Sequence, residues 1–553
     1  MKKRWLCLVL ALCMAVLYTT AGSFAVSAAD TDAAEVCADA ELQSVGTDYG
    51  LADSIEGGNI LHCFNWTLNQ IKAELPNIAA AGFTAVQTSP LQTHDGSYQW
   101  YWLYQPTSFN IGNEIGSYNE LKSLCTEADK YGIKIIVDVV ANHLAGSNNG
   151  SWSGGIDGSL RKSEYFHNQG ALPDDSNDRY DITHKNIGMP DLNSENADLQ
   201  NIIYAMIVKL KNAGVDGIRW DAAKHIGLPS EGCAFWSKMA SIAGLYQYGE
   251  LLEAPANKSA LAINQPLMAE YTEYIHVTDD MYGATVTQAI RDGRVSKTNG
   301  NWTRNGIAAD RLVYWGESHD SYSNDGSAAW SKNLSQNVID RAYAVLGARA
   351  NAQCLYFSRP SESGFYSIAM AKKGSTHYTS NEVAAVNHFH NAMAGTPEKF
   401  VTGSGCYVVC RGGGAVIVSA KDADLDVTVN NGDNLVPDGT YTDEVSGSAW
   451  TVANGKISGH IGSTGIAVIY GEPVTDPDAG KVLVGDADQS GDVTILDATR
   501  IQRYLADLDT LGDAARKAAD ADLDNAVTIL DATAIQRYLA DFKDANSHIG
   551  ERI

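Results

Sequence analysis

Carboxylate-bearing segments in the middle of the chain have the residue types needed for acid–base or nucleophilic chemistry. Arg219 and Asp221 lie two positions apart in a β-type run, so their side chains share one face of a strand and the guanidinium is expected to keep the carboxylate ionised. Glu250 and Asp320 each follow another apolar run. An ionised carboxylate and a carboxylic acid about 5 Å apart are the groups that cleave a glycosidic bond with retention. On spacing alone, a structural ion pair explains Arg219 and Asp221 equally well.

Short apolar runs that alternate with segments of helical periodicity are expected to position these carboxylates. Repeated strand–helix units predict a parallel sheet covered by helices, and over a segment of this length the (β/α)₈ TIM barrel is the expected α/β architecture. Such barrels carry functional side chains at the C-terminal ends of their strands, where Asp221 is expected. The runs are Ile60–Trp66, Phe83–Ser89, Ile133–Val140, Val215–Trp220 and Leu312–Trp315.

Changes in composition along the 553 residues predict several successive segments. They are a signal peptide at 1–29, a flexible leader at 30–54, a barrel domain at 55–372 with an inserted subdomain at 144–191, an antiparallel β-sandwich at 373–471, a linker at 472–481 and a small helical calcium-loop module at 482–547. An uncleaved membrane anchor is the alternative for the first segment. Its apolar run, Leu6–Leu17, is shorter than the roughly 20 residues that a span needs, so no membrane span is expected after cleavage.

The net charge of −26 restricts the classes of partner. Nucleic acids and anionic membrane surfaces bind basic faces, so neither is expected as a partner. The charge suits a secreted, extracellular protein that acts on a neutral substrate and has carboxylates available for cations.

Four short motifs occur in order at the predicted strand ends. They are DVVANH at Asp138–His143, GIRWDAAKH at Gly217–His225, YGE at Tyr248–Glu250 and ESHD at Glu317–Asp320, with a fifth, MPDLN, at Met189–Asn193. Together they resemble the signature regions of the α-amylase family, glycoside hydrolase family 13. The resemblance runs from about Ile60 to Tyr470 and looks closest to secreted bacterial members of the Bacillus subtilis type.

The resemblance implies a role for each motif residue. Asp221 would be the nucleophile, Glu250 the general acid/base and Asp320 the third carboxylate, which stabilises the transition state. Glu253, three residues beyond Glu250, is a rival for the acid. The implied substrate-binding residues are Arg219, which orients Asp221, His143 and His319 at the central subsite, and Lys224 and His225 on the leaving-group side.

The aromatic run Tyr98–Pro106 allows two interpretations. Aromatic rings stack on the apolar faces of glucose, and the resemblance implies that Trp100, Tyr101, Tyr104 and Gln105 line the substrate cleft. A cluster of aromatic side chains in the core is the alternative.

The resemblance also implies one or more Ca²⁺ ions in the catalytic domain. Calcium takes six to eight oxygen ligands. The implied ligands are the side chains of Asn142 and Asp191 and the backbone carbonyls of Thr183 and His225. One ion would then join the insertion to the barrel beside the cleft.

Beyond the linker, the segment VTILDATRIQRY at Val493–Tyr504 recurs nearly unchanged at Val527–Tyr538. The first five residues of each copy are the end of a twelve-residue loop, Asp486–Asp497 or Asp520–Asp531. Both loops have the spacing of oxygen ligands for Ca²⁺, so two ions are expected here. The first set of ligands is Asp486, Asp488, Ser490, Asp492, Thr494 and Asp497, and the second is Asp520, Asp522, Asp524, Ala526, Thr528 and Asp531. Each loop leads into a helix with an apolar stripe, predicted at Ala498, Ile501 and Leu505 and at Ala532, Ile535 and Leu539.

This repeat resembles a type I dockerin. Dockerins bind cohesin domains of scaffold proteins, and the resemblance implies that Ile495–Leu496 and Ile529–Leu530 help to select the cohesin. A calcium-stabilised cap without a partner is the alternative.

The expected function is hydrolysis of internal α-1,4 bonds of starch with retention, by an enzyme held on a scaffold or cell surface. An α-glucan transglycosylase, an α-1,6-cleaving relative and a non-catalytic starch-binding protein are the alternatives.

Overall fold

A computed structural model describes residues 49–147, 151–173, 176–252, 265–300, 302–473, 481–542 and 547–553. The predicted signal peptide, most of the leader and most of the linker lie outside these residues. The chain divides into two compact units, one ending at Glu472 and the other spanning Pro473–Ile553. Finer domain boundaries stay predictions. Within the described ranges, no helix combines the length and apolarity required to cross a membrane.

The first unit contains all eighteen strands of the described residues. They are β1 Ile60–Cys63, β2 Ala85–Thr88, β3 Gly112–Asn113, β4 Gly116–Ser117, β5 Lys134–Val140, β6 Gly217–Asp221, β7 Tyr246–Gly249, β8 His276–Thr278, β9 Leu312–Trp315, β10 Gln353–Phe357, β11 Glu398–Gly403, β12 Cys406–Arg411, β13 Gly414–Ser419, β14 Leu425–Asn430, β15 Gly439–Thr442, β16 Ala449–Ala453, β17 Lys456–Ile461 and β18 Ile466–Tyr470.

The α-helices are distributed over both units. They are α1 Leu68–Ala80, α2 Tyr118–Asp129, α3 Arg179–His184, α4 Ala197–Asn212, α5 Phe235–Ala240, α6 Gln265–Tyr274, α7 Asp280–Arg291, α8 His319–Ser323, α9 Gln336–Gly347, α10 Asn381–Ala392, α11 Ile495–Leu505, α12 Asp513–Ala519 and α13 Ile529–Leu539.

Eight parallel strands close into a barrel in the order β1-β10-β9-β8-β7-β6-β5-β2, which confirms the predicted TIM barrel. Nearly all residues of these strands are buried, because helices cover the outer face and side chains fill the interior. Helix α2 illustrates the local logic. Ser117 and Glu120 form a capping box at its start, and Leu121 and Leu124 are buried on its inner face. The predicted insertion leaves the barrel after β5 and returns at α4.

Two four-stranded antiparallel sheets follow the barrel, ordered β11-β12-β13-β18 and β14-β17-β16-β15. Alternating residues of β12 separate two cores. Val408 packs between the two sheets, whereas Val409 belongs to the core shared with the barrel. The predicted sandwich is thus confirmed, and one of its sheets is anchored on the barrel.

The second unit is small and helical. Its core contains Ala498 and Ile501 of α11 and Ala532 and Ile535 of α13, as the apolar stripes predict. The predicted third member of each stripe is wrong, because Leu505 and Leu539 are 41% and 42% exposed. Each lies at the last residue of its helix, past the part that packs against the other helix.

Candidate active site

The three predicted catalytic carboxylates lie where barrel strands end. Asp221 is the last residue of β6, Glu250 directly follows β7, and Asp320 is near the start of α8, after β9. Trp220 pairs in parallel with Gly249, which brings Asp221 and Glu250 to neighbouring strand ends. A Cβ at Gly249 would lie 2.7 Å from the Cβ of Ala223, so the close approach of these strand ends requires glycine.

Arg219 connects the carboxylates of three strands. Its Nη1 donates to Oδ1 of Asp221 at 2.8 Å and to both oxygens of Asp138, at 2.8 and 3.0 Å. Its Nη2 lies 2.6 Å from Oε1 of Glu250. The guanidinium is buried, so water contributes little to solvating it and its charge is balanced by these carboxylates. One side chain thereby fixes Asp221 and Glu250 relative to each other.

The second oxygen of Asp221 is available for chemistry. Oδ2 is buried and has no hydrogen-bond partner within the described part of the chain. The next residue, Ala222, has a φ of 49°, a left-handed conformation that costs a non-glycine residue free energy. This turn lets the Ala222 N–H donate to Oε2 of Glu250 at 3.2 Å. The strained turn therefore ties the two carboxylates together.

Burial dominates the protonation of this cluster. It raises the pKa of Asp221 to about 6, with Asp320 adding to the rise and Arg219 opposing it. Arg219 acts in the expected direction, since it favours the ionised form of Asp221, but burial has the larger effect. Burial also raises the pKa values of Glu250 and Asp320 above their usual ranges, and Arg219 opposes both rises. A raised pKa at Glu250 suits a general acid.

Two buried histidines next to Tyr104 are neutral rings. His319 stacks on Tyr104 with centroids 4.9 Å apart, and its Nε2 lies 3.8 Å from Oδ2 of Asp320. Nε2 of His143 lies 3.0 Å from the backbone oxygen of Tyr104. Burial lowers the pKa of His319 to about 3 and that of His143 to about 4. Uncharged imidazoles at these positions are suited to hydrogen-bonding a neutral sugar.

The aromatic run forms a short 3₁₀ helix, Trp100–Tyr104, in which these side chains are largely buried. Trp100 is 1% exposed and packs edge-on against His319, which agrees with the alternative of an aromatic cluster. The ring of Tyr101 stacks on Phe365 with centroids 4.6 Å apart. Gln105 follows this helix and is also buried. Contact of these residues with a glucan stays a prediction.

Lys224 and His225, which are predicted for the leaving-group side, form hydrogen bonds within the protein. Nζ of Lys224 donates to the backbone oxygen of Leu252 at 2.6 Å. Nδ1 of His225 lies 2.9 Å from the backbone oxygen of Ile182. The rival acid Glu253 lies outside the described residues.

The predicted calcium ligands of the barrel unit fit a cation. Asp191 is buried and forms a β-bridge with His143, the neighbour of Asn142. Its Oδ1 is buried without a hydrogen-bond partner in the described ranges, and burial raises its pKa to about 7. The contact between Ile182 and His225 brings Thr183 towards the end of β6. A buried carboxylate with an unpaired oxygen is a suitable ligand for Ca²⁺.

In the second unit, backbone N–H groups organise the carboxylates of both predicted calcium loops. Asp486 accepts from Ser490 and Gly491, and Asp520 accepts from Asp524 and Asn525. Asn525 has a φ of 70°, in the left-handed region that asparagine tolerates. The side chains of Asp486, Asp488 and Asp497 converge on one point, and so do those of Asp520, Asp522 and Asp524.

The last ligand of each loop also caps the following helix. Oδ2 of Asp497 accepts from the N–H of Thr494 at 2.7 Å, and Oδ2 of Asp531 accepts from Thr528 at the same distance. Oδ1 of each aspartate accepts a backbone N–H from within its loop. The remaining predicted ligands, which are Ser490, Asp492, Thr494, Ala526 and Thr528, lie along the same loop segments.

Sequence reasoning gave no role to Asp138, which the structure places beneath Arg219. Its Oδ2 also accepts from the hydroxyl of Tyr104 at 3.0 Å, so it links the aromatic run to the catalytic carboxylates. Burial raises its pKa to about 7, against the effect of Arg219. The sequence did indicate a role for Asp138, because this residue opens the DVVANH motif and lies within a mostly apolar strand.

Comparisons with known proteins agree with both parts of this description. Residues 23–292 match the α-amylase catalytic domain, and residues 484–540 match the dockerin type I domain. An α-amylase of Clostridium acetobutylicum is 34% identical over 80% of this chain and 58% of its own length. An α-amylase of Butyrivibrio fibrisolvens is 30% identical over 75% of this chain and 47% of its own. The chain thus spans about half the length of these curated relatives.

Among solved structures, the complex of an α-amylase I variant of Eisenia fetida with maltohexaose has a TM-score of 0.61 at 18% identity. The match covers 78% of this chain and 100% of that one. At this identity the likeness concerns the fold alone.

Proposed function

Because the chain carries a catalytic domain of the α-amylase family and a type I dockerin domain, we propose that it is a secreted enzyme that hydrolyses internal α-1,4 bonds of starch. The cluster in which Arg219 holds both Asp221 and Glu250 carries this proposal. Binding of starch without catalysis does not require two buried carboxylates that have raised pKa values and are both bonded to Arg219.

In the proposed reaction, Oδ2 of Asp221 attacks the anomeric carbon while Glu250 donates its proton to the departing glycosidic oxygen. This step forms a glycosyl ester and releases the reducing-end fragment. Glu250, now ionised, takes a proton from water, and the resulting hydroxide displaces Asp221. Two inversions give net retention. Asp320 and the neutral His319 contact the sugar and favour the charged transition state.

Two calcium roles accompany the proposal. In the barrel unit, Asn142, Asp191 and the carbonyls of Thr183 and His225 would hold the ion, whose charge compensates the buried Asp191 carboxylate. In the second unit, each loop would hold one ion and keep α11 and α13 in place. The exposed pairs Ile495–Leu496 and Ile529–Leu530 would then bind a cohesin domain of a scaffold protein.

Incubation of the mature chain with soluble starch and with pullulan tests the proposal. We expect rapid release of reducing ends from starch and much slower release from pullulan, because an enzyme specific for internal α-1,4 bonds leaves α-1,6 bonds intact. Proton NMR in the first minutes should show new α-anomeric ends. Initial β-anomer contradicts retention, preferential cleavage of pullulan indicates the α-1,6-cleaving alternative, and new glucan linkages without net hydrolysis indicate a transglycosylase.

A further inference from the structure

A further group of possible metal ligands lies in and just after the insertion, apart from the catalytic cluster and the predicted calcium sites. His167, His184 and Glu195 each present one ligand atom, and these atoms lie within 4.8 Å of one another. His167 follows the 3₁₀ turn Ser163–Tyr165, His184 ends α3, and Glu195 precedes α4. Two segments of the insertion and the residues just after it therefore meet at this point.

The partners of His167 favour one nitrogen as a metal ligand. Its Nδ1 lies 2.5 Å from Oδ2 of Asp191, a buried carboxylate. That contact directs the Nδ1–H towards Asp191, whereas Nε2, which donates to Oε2 of Glu195 at 2.6 Å, would give up its proton to bind a metal ion. A carboxylate behind a histidine is the usual arrangement that orients a metal-bound imidazole.

His184 is held in a matching way. Its Nδ1 lies 2.8 Å from the Thr183 hydroxyl and 3.1 Å from the backbone oxygen of Tyr180, which leaves Nε2 for another partner. Its ring stacks on Tyr180 with centroids 4.0 Å apart, and the rings of His167 and His184 lie 4.5 Å apart. Both imidazoles are thus oriented by neighbours other than a ligand.

We propose that His167, His184 and Glu195 form a zinc site with a water molecule in the fourth position. Two imidazoles and one carboxylate suit Zn²⁺, whereas Ca²⁺ prefers oxygen ligands alone. Tetrahedral Zn²⁺ geometry needs Nε2 of His167 and Oε2 of Glu195 to move apart by roughly 0.7 Å, while His184 moves towards both. A cavity of about 470 Å³ lies next to this group and is lined by Phe166, Asn168 and Asp191, which are neighbours or contacts of His167.

A zinc ion at this site would hold the segments around His167 and His184 together, next to the predicted calcium ligands. Asp191, behind His167, and Thr183, beside His184, are both implied calcium ligands. Zinc at His167 and His184 would therefore restrict the same two segments that hold Ca²⁺. The competing interpretation is a charged His167 that bridges Asp191 and Glu195 without any metal.

The test measures zinc bound to the full mature chain in excess Ca²⁺, by elemental analysis after removal of free metal. We expect about one Zn²⁺ per chain. His184→Asn and Glu195→Gln should each weaken zinc affinity at least about 100-fold in competition with a chromophoric chelator. Neither residue belongs to the proposed catalytic or calcium site, and circular dichroism checks that both variants fold; two variants are used in case one does not.

His460→Gln is the matched control, since His460 also contacts two carboxylates, Asp424 and Asp426, but has no second histidine in its cluster. It should keep its zinc. Co²⁺ in place of Zn²⁺ should give the visible absorption of a four-coordinate ion in the parent chain and lose it in His184→Asn. The proposal is overturned if the parent chain binds no zinc tightly, or if His184→Asn and Glu195→Gln bind zinc as tightly as the parent chain does. Either result favours the bridging histidinium.

Discussion

Aspartates are the main functional side chains in both the barrel and the second unit, but the two regions stabilise them by opposite means. In the barrel, Arg219 lies against Asp138, Asp221 and Glu250 in a site from which water is largely excluded. In the second unit, backbone N–H groups of each loop hold Asp486 and Asp520.

The difference concerns the source of the balancing positive charge. Arg219 supplies that charge from within the protein, so the barrel carboxylates can remain close together without an external ion. Backbone N–H groups supply only partial charges, so three converging carboxylates repel one another until a cation binds. This difference is consistent with the proposed functions, in which the barrel cluster acts on a substrate and the loops bind Ca²⁺.

The largest expected effect comes from removal of a catalytic carboxylate. Asp221→Asn removes the proposed nucleophile and Glu250→Gln removes the proposed proton donor, so each should lower kcat on starch by roughly 10³-fold or more while the fold is retained. Initial rates of reducing-end release measure this. Glu114→Gln, a change outside the cleft, is the control and should keep full activity.

If Glu250→Gln keeps substantial activity and Glu253→Gln loses it, the acid is Glu253. Cohesin binding by the second unit should be unchanged in all these variants. A parallel loss of cohesin binding would indicate unfolding.

Calcium removal should affect the second unit more than the barrel cluster. Chelation should unfold the loops and weaken cohesin binding by about 100-fold or more, because folding and metal binding are linked. Starch hydrolysis should fall by a smaller factor, since Arg219 compensates the catalytic carboxylates without an ion. Calorimetry and cohesin binding on the full chain, with and without chelator, measure both effects.

Asp520→Asn should reproduce the loss of cohesin binding in the presence of Ca²⁺, because α11 and α13 share one core and unfolding of one loop removes the support of both apolar pairs. Asp513→Asn, an exposed change in α12, is the matched control and should bind normally. Equal loss of hydrolysis and cohesin binding on chelation would contradict the proposed difference between the two regions.

The pH dependence tests the burial of the barrel cluster. The pKa of Asp221 is raised to about 6, and the nucleophile must be ionised, so kcat/KM should fall as the pH drops through about 6. Well below this value the fall should approach tenfold per pH unit. Circular dichroism over the same range separates protonation from unfolding. Activity that is unchanged down to pH 4.5 in a folded protein would contradict the raised pKa.

The parts of the fold and site that could be predicted from the sequence are those encoded in short contiguous patterns. Apolar runs located β1, β2, β5, β6 and β9 but not β8 and β10, and motifs at strand ends located Asp221, Glu250 and Asp320. The burial of Trp100 could not be predicted, because an aromatic run is compatible with a core and with a cleft. Asp138 beneath Arg219 is a contact between neighbouring strands, which depends on barrel register.

The group of His167, His184 and Glu195 was missed for the same reason. Its members are far apart in the sequence and meet only when the insertion folds. The exposure of Leu505 was also missed, since helical periodicity does not show where a partner helix stops.

The smallest expected effect concerns the two apolar pairs of the second unit. Ile495 and Leu496 are 54% and 62% exposed, and Ile529 and Leu530 are 53% and 69% exposed. Each pair begins a helix that is capped in the same way, by Thr494 and by Thr528. The two pairs are therefore nearly equivalent surfaces, and burial of either against a partner yields about 25 cal/mol per Å².

Two equivalent and mutually exclusive binding modes double the association constant. Aspartate substitution of Ile495 and Leu496 should then weaken cohesin binding only about twofold, which is about 0.4 kcal/mol at 25 °C. The same change at both pairs should abolish binding and leave starch hydrolysis intact. Leu508→Asp is the matched control, because Leu508 is 67% exposed but lies outside both pairs. Titration calorimetry against a panel of cohesins from starch-degrading anaerobes distinguishes the outcomes: a large loss from one pair means a single binding mode, and binding that survives both changes places the partner surface elsewhere on this unit.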